Sequence, residues 1–435
     1  MEHYMNISGV EDDIMSKPLQ TNPIKLSQPM GALLCFLGIK NCMPLMHGAQ
    51  GCASFSKVFF TRHFSDPIAI QTTAVNDITA VIDGGEYSIS EAIKNITKKV
   101  TPDLVGLFTT GMTETKGDDI KGATVLLKDE QLICYVNTPD FEGGLESGFA
   151  KSIEALVEQL VKEKESVDSN KAVLIPNVNL TPIEVEKIKE EIAKFGFEVY
   201  ALPDLSDSLD GHLGLKQGAL SSGGISVEEI KSLGDASVVI SIGASVEKAG
   251  NLLQKKNEKM NHLHFDTVSG LLATDSFYKA LMEFKTISKP HPSVVRWRKR
   301  LQDALLDTHF AIGGTKMIIA LEADQALSVA TTVLEAGADI KTIVVPTKTT
   351  LLEHLDCEVI VGDFEDVEEK LEDADLLITN FHGERIAHQQ GKALLLRGYP
   401  NYETVGNQLI NDTLYEGSCY LLFSLANLIN TSEEH

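Results

Sequence analysis

The chain has 435 residues, a formal net charge of −24 and a hydrophobic fraction of 43%. A chain of this length is expected to form several domains, on the order of three. Its acidity argues against binding to a nucleic-acid backbone. No apolar run reaches the roughly 18 residues that a membrane helix needs, so we expect no membrane span. The acidic start lacks the basic and apolar parts of a signal peptide, which predicts a cytoplasmic protein.

The six cysteines lie at positions 35, 42, 52, 134, 357 and 419, with no C-x-x-C pair among them. This scatter argues against a disulfide framework and against a self-contained zinc site. Cys35, Cys134 and Cys419 lie within apolar segments, which indicates core positions. For Cys42 a buried thiol is favoured, although a functional role remains open.

Residues 1–25 are polar and acidic and contain two prolines, so they predict an extended or poorly ordered N-terminal arm. A first α/β domain is predicted over residues 26–167. It opens with an apolar run over residues 30–38, which is typical of a short buried helix that ends at Gly38.

The segment around Cys52 carries the strongest chemical signal in this domain. An apolar run ends just before two glycines, Gly48 and Gly51. Three apolar residues at helical spacing follow Cys52: Phe55, Val58 and Phe59. The pattern predicts a helix that starts at Ala53 or Ser54 with an apolar face. The free N–H groups and dipole of a helix start favour an anion, and the thiolate is the form of cysteine that binds metals. The alternative is a glycine turn beside a small buried thiol.

The remainder of the first domain reads as alternating strands and helices. Strands are predicted over residues 104–108 and 132–136, with a loop over 109–115 and a helix that opens near Asp118 and Asp119. A longer helix is predicted through four apolar residues, Phe149, Ile153, Leu156 and Leu160.

A second α/β domain is predicted over residues 168–292. Strand 172–175 is followed by a capping box, Thr181 to Glu184 with Pro182 at the first helical position, and then by strand 198–202. A further strand covers 237–242. The acidic residues Asp204, Asp207 and Asp210 match no known calcium loop, so no role is assigned to them.

A connecting helix is predicted over residues 293–310 and a third α/β domain with a C-terminal helix over 311–435. Strands 317–320, 342–345, 375–380 and 393–396 alternate with helical segments. The predicted fold class is therefore α/β, with three doubly wound, Rossmann-like domains and mostly parallel sheets. Neither G-x-G-x-x-G nor G-x-x-x-x-G-K-[ST] occurs at a domain start, so nucleotide binding has no motif support.

Six segments in this order resemble the nitrogenase component 1 superfamily: SQPMGA (27–32), HGAQGC (47–52), TRHF (61–64), TTGMTE (109–114), NTPDF (137–141) and LDTHF (306–310). The likeness covers nearly the whole chain. Within the superfamily the chain is most similar to the NifN family of iron–molybdenum cofactor biosynthesis proteins, which are β-type subunits that pair with NifE.

The resemblance identifies the positions of three cluster ligands of the catalytic β subunit. They correspond to Ser27, Cys52 and Gly111, so only one of the three is a cysteine in this chain. Serine is a poor substitute for a thiolate and glycine cannot ligate. The resemblance therefore implies a [4Fe–4S] cluster shared with the partner, to which Cys52 contributes one ligand. His47, Gln50 and Ser54 are candidates for groups beside this cluster, with hydrogen bonding inside a turn as an equally good alternative.

The function implied by this likeness is cofactor assembly rather than catalysis, and no catalytic residue is assigned. The chain would form an α2β2 heterotetramer with a NifE-like subunit. The complex would hold an iron–molybdenum cofactor precursor, mainly on the partner, and would contact the nitrogenase iron protein transiently.

Two other classes of protein remain as alternatives. The first is a reductase subunit: a nitrogenase β chain, a vanadium-system homologue or a tetrapyrrole reductase. Ser27 and Gly111 argue against the nitrogenase β chain. The second is a metal-free structural subunit in which Cys52 serves only for packing.

Overall fold

A chain of alternating apolar strands and amphipathic helices folds by burying each strand between helices. The computed structural model describes residues 24–64, 68–73, 75, 85–212, 218–402 and 404–433. Within these ranges the strands form three sheets, and every strand pair in them is parallel. The predicted α/β fold class with three Rossmann-like sheets is therefore confirmed. The predicted arm lies outside the described residues except for its last two, of which Ile24 packs against the third sheet.

The first sheet has the strand order β2-β1-β3-β4. Its strands are β1 (Cys42–His47), β2 (Gln71–Thr72), β3 (Leu104–Thr109) and β4 (Ile133–Val136). Its helices are α1 (Gln28–Leu37), α2 (Gln50–His63), α3 (Glu86–Thr97), α4 (Gly111–Lys116), α5 (Ile120–Leu127) and α6 (Leu145–Leu160).

The second sheet has the order β6-β5-β7-β8. Its strands are β5 (Asp168–Pro176), β6 (Glu198–Ala201), β7 (Ala236–Ile242) and β8 (Asn261–Phe265). Its helices are α7 (Pro182–Ala193), α8 (Val227–Ser232), α9 (Glu247–Gln254) and α10 (Leu271–Phe284). The predicted capping box is present: the Glu184 N–H donates to Thr181 Oγ1 at 3.4 Å, and the Thr181 N–H donates to Glu184 Oε2 at 2.9 Å.

The third sheet has the order β11-β10-β9-β12-β13. Its strands are β9 (Lys316–Ala320), β10 (Asp339–Val345), β11 (Glu358–Val361), β12 (Leu376–Thr379) and β13 (Ala393–Leu396). Its helices are α11 (Pro292–Ile312), α12 (Ala323–Glu335), α13 (Phe364–Leu371), α14 (Glu384–Gln390) and α15 (Leu414–Glu433). Among the described helices, none is both long and apolar enough to cross a membrane.

Apolar cores run across the boundaries between the sheets. One buried cluster joins side chains of the first and second sheets, such as Phe108 and Val239, and another joins those of the second and third, such as Ile240 and Ile319. Because each cluster draws on two sheets, the three units support one another. The domain boundaries drawn from the sequence remain a prediction.

Three expectations about local structure were wrong or incomplete. Residues 109–115 are not a loop throughout, because α4 starts at Gly111. Helix α2 starts at Gln50, before the predicted Ala53 or Ser54. Strands β8 and β11 were not predicted. Both are only partly buried, and β8 also lacks a continuous apolar run.

Candidate functional site

Cys52 lies in the first turn of α2, at the carboxyl edge of the first sheet. Strand β1 ends at His47, and α2 begins at Gln50 after Ala49, whose extended backbone forms the N-cap. Cys52 is thus the third helical residue, and its N–H donates to the Ala49 carbonyl at 3.2 Å. Ligands of open parallel sheets bind at this edge. The predicted position of Cys52 beside a helix start is therefore confirmed.

Cys52 is the one exposed thiol among the six cysteines, all of which lie in the described ranges. Cys35, Cys42, Cys134 and Cys419 are buried, and Cys357 is half-buried. Burial raises the pKa of the Cys35, Cys42 and Cys134 thiols well above the usual range, and it raises that of Cys419 to about 11. The expected core positions of Cys35, Cys134 and Cys419 are thus confirmed.

Helix α2 presents an apolar face to solvent next to this thiol. The side chain of Phe55 is 63% exposed and that of Val58 is 58% exposed, whereas Phe59 is only 7% exposed. Of the predicted apolar face, Phe55 and Val58 therefore face solvent, and only Phe59 faces the core. The core-facing side of α2 is formed instead by a different set of residues, Ala53, Ser56, Phe59, Phe60 and His63.

The two glycines near Cys52 serve different purposes. Neither has a positive φ. A Cβ on Gly48 would lie 2.8 Å from the Thr110 side chain, so this glycine permits close packing of the β1 and β3 ends. A Cβ on Gly51 would meet no described heavy atom within 4 Å. The space over the α2 start is thus open beside Cys52.

His47 anchors the turn that precedes α2. It is fully buried, with Nδ1 2.9 Å from Thr73 Oγ1 and Nε2 3.0 Å from Asp118 Oδ2. Burial lowers the pKa of His47, and the neighbouring Asp118 carboxylate opposes that shift. Both ring nitrogens are engaged by side chains of neighbouring segments, and this favours the structural role for His47 over a role beside a cluster.

The first turn of α2 also contacts α1. The Ser56 hydroxyl lies 3.0 Å from the Cys52 carbonyl oxygen and 3.0 Å from Met30 Sδ. The Ser54 hydroxyl donates to the Gln50 carbonyl at 3.1 Å. These local bonds hold the backbone that carries Cys52 and leave the thiol itself exposed.

Ser27 and Gly111 lie at helix starts on the same edge. Ser27 is the partly exposed N-cap of α1, whose third residue Met30 contacts the Cys52 turn. Gly111 is the first residue of α4, two positions after Thr109, which pairs with His47 in the sheet register. The fold therefore brings all three positions to one edge, with one thiol among them.

Asp140 was missed as a residue of this edge, although it lies in the NTPDF segment. Its Oδ2 accepts a hydrogen bond from the Gly111 N–H at 2.8 Å. The bond adds to a local cap of α4, in which the Thr110 N–H donates to Thr113 Oγ1 at 3.1 Å. Only the pairing of β3 with β4 brings Asp140 and Gly111 together, so local pattern carried no signal for their bond.

Two of the three unassigned aspartates have side-chain partners. Asp204 forms an ion pair with Lys189 at 2.5 Å, and Asp210 Oδ1 lies 2.5 Å from His212 Nδ1. Across the described ranges, no group of three or more His, Cys, Asp or Glu side chains is arranged to hold a metal ion.

A model of nitrogenase component 1 type oxidoreductases matches residues 27–430. The chain belongs to the nitrogenase component 1 family. The match begins at Ser27 and includes Cys52, Gly111 and all three sheets.

Curated relatives within the family carry the name nitrogenase iron-molybdenum cofactor biosynthesis protein NifN. The protein of Rippkaea orientalis is 37% identical, with 96% of this chain and 95% of the relative covered. That of Rhodobacter capsulatus is 36% identical over 94% of this chain and 91% of the relative. The predicted resemblance to NifN is therefore confirmed.

The solved structure of nitrogenase Cp1 at pH 6.5 superposes on this chain with a TM-score of 0.90. It is 28% identical and covers 97% of this chain and 96% of its own. The nitrogenase component 1 fold thus extends over nearly all of the chain.

Proposed function

We propose that the protein is a scaffold subunit for maturation of the nitrogenase iron–molybdenum cofactor. It assembles with a NifE-like α subunit into an α2β2 heterotetramer, which holds the cofactor precursor mainly on the partner and receives the nitrogenase iron protein transiently. The names of its relatives, matched over almost their full length, support a role in cofactor biosynthesis.

The observation that carries this proposal is a single exposed thiol at an otherwise thiol-free edge. A [4Fe–4S] cluster is normally held by four cysteines. Cys52 provides one, Ser27 and Gly111 provide none, and the other cysteines of the chain are buried or half-buried. Three ligands therefore come from the partner, and the cluster lies at the subunit interface. When bound, such a cluster supplies one-electron transfer.

The surroundings of Cys52 fit a shared cluster. The open space over Gly51 leaves room for a bulky group, and the N–H groups of the first turn of α2 favour the anionic thiolate. Exposed Phe55 follows Cys52 by three residues in α2, and exposed Val58 follows Phe55 by three more. Exposed apolar side chains near a ligand position support a subunit interface there.

The proposal is tested with Cys52→Ala in protein co-expressed anaerobically with the candidate partner. We expect the heterotetramer still to assemble. It should contain less iron and sulfide, by one [4Fe–4S] cluster per interface, and the EPR signal of that cluster should be absent. The matched control is Cys357→Ala, which removes a half-buried thiol of the third sheet and leaves the signal unchanged. An unchanged signal in the Cys52 variant would favour the metal-free subunit instead.

The similarity to nitrogenase Cp1 favours a reductase subunit as the second candidate. The same purified complex separates the two functions. A scaffold transfers its matured cofactor to a cofactor-free acceptor and reduces acetylene only slowly. Acetylene reduction at the rates of nitrogenase would assign the chain to the reductase class.

A further inference from the structure

A cavity lies where the three units of the fold meet. Its volume is about 50 Å³, which is room for roughly three to five water-sized bodies of 10–15 Å³ each. The lining comes from the end of α2, from the carboxyl edges of the second and third sheets, and from the segment before α15. Asp266, whose side chain is 54% exposed, is part of the lining, so the cavity reaches solvent there.

The wall contains buried polar side-chain atoms that have no partner among the described residues. They are the side-chain atoms His63 Nδ1, Asn179 Oδ1, Gln325 Oε1, Asn401 Oδ1 and Asn407 Oδ1. His63, Asn179, Asn401 and Asn407 are more than nine-tenths buried. A buried polar atom without a partner is costly, and a concentration of them at one cavity indicates a bound group.

The amide orientations at two of these positions follow from their other bonds. Asn179 Nδ2 donates to Glu146 Oε1 at 2.8 Å, and Asn407 Nδ2 donates to the Asn401 carbonyl at 2.9 Å. Each Nδ2 faces an acceptor, so the free atom of each amide is the oxygen. His63 is held neutral, because burial lowers its pKa to about 3. One tautomer of the neutral ring makes Nδ1 a further acceptor.

The charged groups of the wall also carry an excess of negative charge. Four carboxyl groups line the cavity: Glu184, Asp266, Asp324 and Asp412. Among the lining residues, all in the described ranges, Arg397 is the one permanent cation. Its guanidinium is already bound to Asp412 and to the Leu396 carbonyl. Burial raises the pKa of Glu184 to about 8, so this carboxyl group is neutral at pH 7. Burial raises the pKa of Asp324 only to about 6, so Asp324 stays negatively charged at pH 7.

From the donor and charge balance of this wall we infer that the cavity binds a small monovalent cation of the size of potassium or ammonium. Neutral amide oxygens replace the hydration shell of such an ion, as carbonyl oxygens do in other proteins. Ordered water can also donate to these oxygens, and the salt series below distinguishes a bound ion from water alone. This inference does not depend on the cluster or on cofactor assembly.

The test measures the melting temperature of the complex in potassium, ammonium, sodium and tetramethylammonium chloride at one ionic strength. We expect potassium and ammonium to raise it above the other two salts, with a concentration dependence that saturates. The ion with the lower half-saturating concentration is the physiological candidate. Equal melting temperatures in all four salts would overturn the proposal.

The variant Gln325→Met keeps the side-chain volume and removes one polar group of the cavity. The difference in melting temperature between potassium and sodium chloride should therefore shrink. Gln390→Met is the matched control, because Gln390 also has a buried, unpartnered Oε1 but lies outside the cavity lining. It should keep the full difference. A difference that survives in both variants would contradict a site at Gln325.

A crystal grown with thallium(I) provides a test that needs no variant. Thallium replaces potassium at such sites, and we expect an anomalous peak within contact of Asn179 Oδ1 and Gln325 Oε1. A cavity that contains only ordered water under these conditions would refute the cation site.

Discussion

At the scale of single residues, burial separates the chemistry of identical side chains. Cys52 follows an apolar segment and Cys134 lies within one. Cys52 is exposed at a helix start, whereas Cys134 is fully buried in β4. Burial disfavours the thiolate, and therefore metal binding, at Cys134. The two positions differ in environment, and that environment follows from the fold.

His63 shows the same effect in a histidine, and its titration is a testable consequence. Its ring packs against Phe64 and Tyr399, with centroid distances of 4.9 Å and 4.4 Å. Burial lowers its pKa from 6.5 to about 3, so the unfolded chain binds a proton that the folded chain does not. The stabilising contribution is therefore complete above pH 6.5 and is lost as the pH falls toward 3.

We predict that His63→Phe weakens the pH dependence of folding below pH 6.5. The wild-type protein should lose up to about 1.4 kcal/mol more free energy of unfolding per pH unit than the variant in this range. Urea unfolding of both proteins over the same pH series measures the difference, and the other titrating groups are common to both. Parallel pH curves would mean that His63 is protonated in the folded state.

At the scale of elements, contacts between helices depend on glycines that the hydrophobic pattern does not explain. Helices α1 and α6 cross at Gly31 and Gly148, where added Cβ atoms would lie 2.1 Å from the Leu145 carbonyl and 2.0 Å from the Gln28 carbonyl. The backbones are thus in direct contact. Gln28 Nε2 adds a hydrogen bond to Ser147 Oγ at 3.1 Å beside this crossing.

Gly31→Ala should destabilise the protein although alanine is the better helix former. The new methyl group meets backbone atoms that cannot rotate away, so we expect a cost at or above the upper end of the roughly 1–3 kcal/mol typical of overpacking. Gly51→Ala is the control, since its Cβ meets no described atom and alanine gains about 0.5–1 kcal/mol in a helix. Thermal unfolding of both variants provides the comparison. Equal stability of Gly31→Ala and wild type would show that the helices can separate without cost.

At the scale of the whole molecule, the carboxyl edge of the first sheet is where a partner would complete the structure. The exposed thiol and the exposed apolar face of α2 lie there, while the buried clusters join the three sheets elsewhere. An interface at this edge would cover Phe55 and Val58 and enclose Cys52.

Phe55→Asp should impair association with the NifE-like partner and leave the fold intact. A charge at the interface loses its hydration without gaining a partner, whereas at the free surface it stays hydrated. Leu272→Asp serves as the control, because Leu272 is exposed at a similar level on α10 of the second sheet. Size-exclusion chromatography of co-expressed complexes and the melting temperature of each variant measure the two effects. Normal assembly of Phe55→Asp would remove this face from the interface.

Much of the fold could be predicted because its signals are local. Apolar runs marked β3, β5 and β9, and the capping box at Thr181 marked the start of α7. The start of α4 was missed although the Thr110 N–H bonds locally to Thr113 Oγ1. Its further contact with Asp140, 29 residues away, has no local signal. The spacing of Phe55, Val58 and Phe59 correctly indicated a helix, but spacing does not reveal whether an apolar face meets the core or solvent.

The sequence by itself determined the α/β class, the family and the choice of Cys52, because repeated apolar patterns and ordered motifs are properties of the chain alone. Only the tertiary structure decided which thiol is exposed, which helix starts share an edge with it, and that His63 and Asn179 line one cavity with Gln325 and Asn401. These features depend on residues far apart in the chain. Their proximity is fixed by parallel strand pairing and by packing between sheets, which no local pattern encodes.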